Sequence, residues 1–123
     1  MLKIKRVYET KEAKDGTRIL VDRLWPRGLS RLEAHIDQWA KEVAPSQELR
    51  QWFAHQSEKW PEFKERYERE LSTPEKSRLL EQIALMAGRN DVTLLYAARD
   101  SEYNNAVVLG EILAKLMKDL PQS

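Results

Sequence analysis

The chain has 123 residues, a length suited to one domain around a single core, and its 21 Lys and Arg against 20 Asp and Glu leave a formal charge of only +1. So small a surplus provides no global basic field for nucleic acid, and partners have to be sought in local constellations. The absence of cysteine excludes disulfides, thiolate metal sites and a Cys nucleophile, and two isolated histidines, His35 and His55, argue against zinc, so no metal and no cofactor are expected.

The first segment, MLKIKRVYE, lacks the apolar core of a signal peptide, and no apolar run in the chain approaches the roughly 18 residues of a membrane span. A cytoplasmic protein without a membrane partner is the expectation. Leu2 and Ile4, with Val7 and Tyr8 as further candidates, suit an N-terminal edge strand. Asp15-Gly16 marks a turn, and the run Ile19, Leu20, Val21 in TRILVDRLW reads as a strand covered on both faces, about 18–24. The connection between these two strands is shorter than the dozen or so residues of a usual parallel crossover, so spacing favours an antiparallel pair.

From about Ile36 to Gly88 the pattern is helical. Ser46 is a plausible N-cap, with Leu49, Trp52 and Phe53 on one face behind it. Ser57 is placed to cap a second helix carrying Trp60, Phe63, Tyr67 and Leu71 at helical spacing, with Pro61 early enough to be tolerated. Thr73-Pro74 reads as cap and first residue of a third, through Leu79, Leu80, Ile83 and Ala87 to a stop at Gly88. VTLLYAA is a second buried strand, about 92–98. Ser101 then opens a last helix through Val108, Ile112, Leu116 and Met117, ended by Pro121. Strand, long helical crossover and strand make the two buried strands parallel, and predict a small single-domain α/β fold over 1–123 with four to five helices.

That topology gives the charges after each buried strand a place. In open α/β sheets ligands sit outside the carboxyl ends of the parallel strands, where this chain has Asp22-Arg23 and Arg99-Asp100. Arg27 follows on the turn, and the start of the last helix, Ser101 to Asn104, points in. Guanidinium forks beside a helix start suit a phosphate or carboxylate, so a small anionic molecule is the expected partner. The competing structural reading pairs Asp22 with Arg23 or Arg99 as an ion pair closing the sheet end. Trp25, in the turn between the arginines, is a candidate pocket wall, whereas Trp39, Trp52 and Trp60 read as core. Arg50 either reaches the crevice or carries its head to solvent. His55 stands at a helix end, where the dipole favours a cation, and is a candidate acid or base together with Asp22 and Asp100. Ser46 is a cap before it is a nucleophile, and Tyr96 points to the core or to the site.

The blocks GTRILVDRLWPRGLS, WAKEVAPSQELRQWFAHQSEKWPEFKERYEREL and VTLLYAARDSEYNNAVVL resemble, in this order, the YeaO-like branch of the domain-of-unknown-function 488 family, from about Ile4 to Leu113. The resemblance implies an α/β domain of bacterial cytoplasmic proteins with no established activity. Its recurrent polar positions correspond to Asp22, Arg23, Arg27, Ser46, Arg50, His55, Tyr96, Asp100 and Asn104. Many members of the wider family carry a Cys-His pair where this chain has Asn104-Asn105, so thiol chemistry does not transfer, although Asn104 keeps a donor and an acceptor. The wider family also implies a strand-helix-strand start, for which Glu9 to Thr17 leaves no room.

Two classes of function follow. One is a small-molecule enzyme or sensor holding an anion with Arg23, Arg27 and Arg99. The other is a nucleic-acid-binding or protein-interaction module presenting Arg18, Arg23, Arg27 and Arg31 as a stripe.

Overall fold

The computed structural model describes residues 1–120. Four parallel strands, β1 (Leu2–Arg6), β2 (Thr17–Leu20), β3 (Gln38–Trp39) and β4 (Val92–Tyr96), form one sheet in the order β1-β4-β2-β3. All five residues of β4 are buried, because it lies between β1 and β2 and is covered on both faces. Backbone bonds extend the ladders by one residue, Val7 N–H to Tyr96 C=O (2.8 Å) and Val21 N–H to Leu95 C=O (3.1 Å). The strands end before residues 24 and 98 because the Asp22 carboxylate, and no longer a neighbouring strand, takes the N–H of Ala97.

The expected antiparallel pairing of the first two strands does not occur. β1 and β2 flank β4 and both run parallel to it. Their connection must cross two strand spacings and return the length of a short strand, within reach of its ten residues at about 3.3 Å each. No helical crossover is needed, and a single 3-10 turn, Ala13–Asp15, lies on the way.

The helices are α1 (Arg31–Ala34), α2 (Gln47–Phe53), α3 (Trp60–Glu70), α4 (Pro74–Arg89) and α5 (Asn105–Asp119). Ile19, Val21, Val92, Leu94 and Tyr96 share a core with Leu49 and Phe53 of α2, Phe63 and Tyr67 of α3, Leu80 and Ile83 of α4, and Val108 and Leu113 of α5. Tyr67 is completely enclosed, and its hydroxyl donates to the Val43 carbonyl. The second core gathers Val7, Leu20 and Leu95 beneath Trp25, Leu29, Ile36 and Trp39, so the loop after β2 covers what a helix covers on the other side.

Several helix ends depart from the sequence reading. Ser46 and Thr73 cap α2 and α4, accepting from Leu49 N–H (3.1 Å) and Lys76 N–H (3.4 Å). Ser57 caps no helix; it begins a 3-10 turn, Ser57–Lys59, that runs straight into α3. Gly88 stays inside α4, which closes at Arg89. Ser101 lies in a turn, and α5 begins four residues later behind Asn104, whose side-chain oxygen accepts from Val107 N–H at 3.1 Å. Pro121, expected to stop this helix, lies outside the described residues. Two elements were not foreseen, the two-residue β3 and the single turn α1 with its Ser30–Glu33 capping box.

On the sheet's second face a charged cluster is buried. Arg18 is 1 % and Asp15 2 % exposed. Arg18 donates to Asp15 (2.6 Å) and to the carbonyls of His35 (2.9 Å) and Ala34 (3.2 Å). Lys5 adds bonds to both Asp15 oxygens at 3.1 Å, and the Asp15 carbonyl accepts from the Thr93 hydroxyl at 2.8 Å.

Candidate functional site

Because all four strands run the same way, their carboxyl ends open on one side, and there lies a cleft of about 1220 Å³. Nine of the residues expected at the site line it: Asp22, Arg23, Trp25, Arg27, Arg50, His55, Arg99, Asp100 and Asn104. Asp22, Arg23, Arg27 and Arg99 thus meet at the ends of two adjacent parallel strands. Ser46 and Tyr96 stand outside the cleft. Besides capping α2, Ser46 donates its hydroxyl (2.6 Å) and its N–H (2.9 Å) to Glu70, beside a separate cavity of about 460 Å³. Tyr96 is 5 % exposed and belongs to the helix-side core, where burial above all raises its phenol.

Asp22 forms part of the floor. One of its oxygens accepts from Ala97 N–H at 2.9 Å, and its carbonyl accepts from the Trp39 indole at 2.8 Å. Burial pushes its carboxyl above the usual carboxylate range, while the Ala97 N–H, the Asn105 amide and the neighbouring Arg50 and His55 pull it down. The ion pair foreseen with Arg23 or Arg99 is not made. Among the described residues none of the salt bridges involves Asp22 or any of Arg6, Arg23, Arg27, Arg50 and Arg99. Arg23 instead donates Nε to the Pro45 carbonyl at 3.1 Å, which ties the turn after β2 to the entry of α2.

Other polar candidates have structural duties. Asp100 accepts from the N–H groups of Tyr103 (3.0 Å) and Glu102 (2.9 Å), which hold its carboxyl below the ordinary range. Asn104 is buried, with its amide donating to the Asp100 carbonyl at 2.8 Å and its oxygen capping α5, so both ends are engaged. The Trp25 indole donates to the Leu29 carbonyl at 2.7 Å, and its ring meets Trp39 edge-on at 5.4 Å. His55 lines the cleft from a left-handed backbone, φ 58°, directly behind Ala54 at φ 47°. Two consecutive non-glycine residues in that region are held at some cost in strain.

Arg6, Tyr8, Tyr103 and Asn105 also line the cleft and were missed. Arg6 donates Nε to the carbonyls of Ala97 and Ala98, both at 3.0 Å, and the Tyr8 hydroxyl reaches the Arg27 carbonyl at 2.8 Å. No local signal marks them, since their position depends on β1 lying beside β4. Asn105 does carry a signal, at the second position of the pair that replaces Cys-His, and it donates to the Val21 carbonyl at 2.8 Å. The four-arginine stripe is not formed, because Arg18 is enclosed and paired with Asp15. Among the described residues no group of three or more His, Cys, Asp or Glu is placed to hold a metal ion, and no helix is long and apolar enough to cross a membrane.

A family model described as the inactive DUF488-N3 subclade matches residues 1–122. The chain belongs to this DUF488 family. It is 41% identical over 115 residues to the uncharacterized protein YeaO of Escherichia coli K12, covering 94% of this chain and 98% of that one. It is 40% identical over 112 residues to uncharacterized proteins of Mycobacterium tuberculosis H37Rv and Mycobacterium bovis, covering 91% of this chain and 92% of each of those. No solved structure matches the chain.

Proposed function

We propose that this DUF488 member binds a small phosphate- or carboxylate-bearing molecule in the cleft at the carboxyl ends of β2 and β4, in the bacterial cytoplasm that the resemblance implies. One observation carries the proposal: five arginines, Arg6, Arg23, Arg27, Arg50 and Arg99, line one cleft without an ion-pair partner among the described residues. Like charges gathered at the mouth of a sheet repel one another, and an anion relieves that repulsion while accepting their planar donors. Asp22 and His55 are available for proton transfer. The word inactive in the subclade's description, and the exchange of Cys-His for Asn104-Asn105, favour recognition of the ligand over its turnover.

The test is a thermal-shift screen of inorganic phosphate, nucleotides, sugar phosphates and carboxylates on the parent and on the Arg23→Ala/Arg27→Ala variant. A ligand at a hundred times its Kd stabilises the parent by about 2.7 kcal/mol, and the variant should lose that response, its own stability lower by about 1–2 kcal/mol because Arg23 no longer donates to the Pro45 carbonyl. If no anion raises the parent's melting temperature, the cleft is not an anion site.

A further inference from the structure

The carboxylate among the arginines narrows the ligand further. Asp22 has two oxygens with about four lone-pair positions, and its carboxylate takes the Ala97 N–H at 2.9 Å and the Asn105 amide, which leaves acceptor positions over. No cation lies within ion-pair distance of it among the described residues, although five arginines share its cleft. A bare anion drawn in by those arginines meets the Asp22 charge with nothing to offer it but repulsion. A molecule with an anionic end and neutral hydrogen-bond donors nearby satisfies both. Five arginines against Asp22 and Asp100 leave three positive charges in the cleft, which suits a doubly charged phosphate better than a single carboxylate.

We infer that the ligand is a phosphate ester of a hydroxylated carbon skeleton, whose phosphate lies among the arginines and whose hydroxyls donate to Asp22. The inference rests on the anion-binding reading above. Two sources share this chemistry, a free sugar phosphate and a ribonucleotide, and Tyr103 and Trp25 on the cleft wall offer rings for the base of the second.

The experiment is calorimetric titration of the full chain at neutral pH with inorganic phosphate, propyl phosphate, glycerol phosphate, ribose phosphate and a ribonucleoside monophosphate. Glycerol phosphate and ribose phosphate should bind about tenfold or more tighter than propyl phosphate, the gain of charge-assisted over absent hydrogen bonds. Tightest binding of ribose phosphate identifies the sugar phosphate, and of the monophosphate the nucleotide. In Asp22→Asn, whose side-chain oxygen can still accept from Ala97, inorganic phosphate should bind more tightly and the hydroxylated esters more weakly, so that the preference collapses. An unchanged preference in Asp22→Asn overturns the assignment. Equal binding of propyl and glycerol phosphate by the parent overturns it without any variant, and leaves the anion site standing. Failure of inorganic phosphate and of every ester to bind removes the site itself.

Discussion

Replacing Asp15 with Asn removes the charge from the buried cluster on the second face of the sheet while keeping the side chain's shape. Burial pushes the Asp15 carboxyl up, but the Glu12 N–H, Lys5 and Arg18 outweigh it and hold the carboxyl down at about 2 against an ordinary 3.8. That drop corresponds to about 2 kcal/mol favouring the folded state. The substitution also leaves the guanidinium of Arg18, 1 % exposed, with carbonyls alone, so the total cost should be roughly 3 kcal/mol. For a chain of this size that is a melting temperature lower by about 12 °C. The folded carboxyl titrates below its unfolded value, so its contribution is complete above pH 3.8 and disappears as pH falls toward 2. Thermal melts of parent and Asp15→Asn should therefore differ fully at neutral pH and converge in acid. A difference below about 3 °C at neutral pH, or one that persists in strong acid, would refute the assignment of stability to this ion pair.

Gly16 has φ +64°, and a Cβ there would lie 2.0 Å from the Asp91 carbonyl oxygen. Gly16→Ala should cost several kcal/mol, on the order of 3 or more, read as loss of a cooperative urea transition or of soluble yield. Ala54→Gly relieves a left-handed residue at the end of α2, φ 47°, and should raise the melting temperature by about 2–4 °C for a gain of about 0.5–1 kcal/mol; no rise would mean that the backbone there is unstrained. Asp22 carries the opposite sign to Asp15. Its folded carboxyl titrates above the unfolded value, so parent stability falls as pH rises through that window. Asp22→Asn should melt higher than the parent at neutral pH, with the gap narrowing in acid, and a variant that melts lower at neutral pH would contradict the sign.

The two buried strands were legible because each is a continuous apolar run too short for a helix, and the parallel relation followed from the long helical segment between them. Their polar ends, Asp22-Arg23 and Arg99-Asp100, were legible for the same reason. Ser46 and Thr73 announced their helices through caps that act within one turn. By contrast β3 has only two residues, and Trp39 becomes a strand residue through pairing with Leu20 and not through any periodicity. Ser101 reads as the start of the last helix, but Asp100 takes the N–H groups of Glu102 and Tyr103 and folds that stretch into a turn, and the helix begins behind Asn104. Arg6 and Tyr8 could not be assigned to the cleft without knowing that β1 pairs with β4, whereas the four-arginine stripe was already unfavourable from the placing of Arg18 and Arg31 outside the buried run, and the burial of Arg18 beside Asp15 supplies the physical reason.

The order β1-β4-β2-β3 also sets the timetable of folding. β4, one of the two inner strands, is the last of the four to be synthesised, and its pairing with β1 joins residues about ninety positions apart, as Leu2 with Val92. No local hairpin can start this sheet, so closing these long loops precedes the reward of burial and folding is slow for so short a chain. On the ribosome β1 and the inner edge of β2 wait unpaired until Val92 to Tyr96 emerges between them. A chain stalled before that point is an aggregation hazard, because its strand edges stay open.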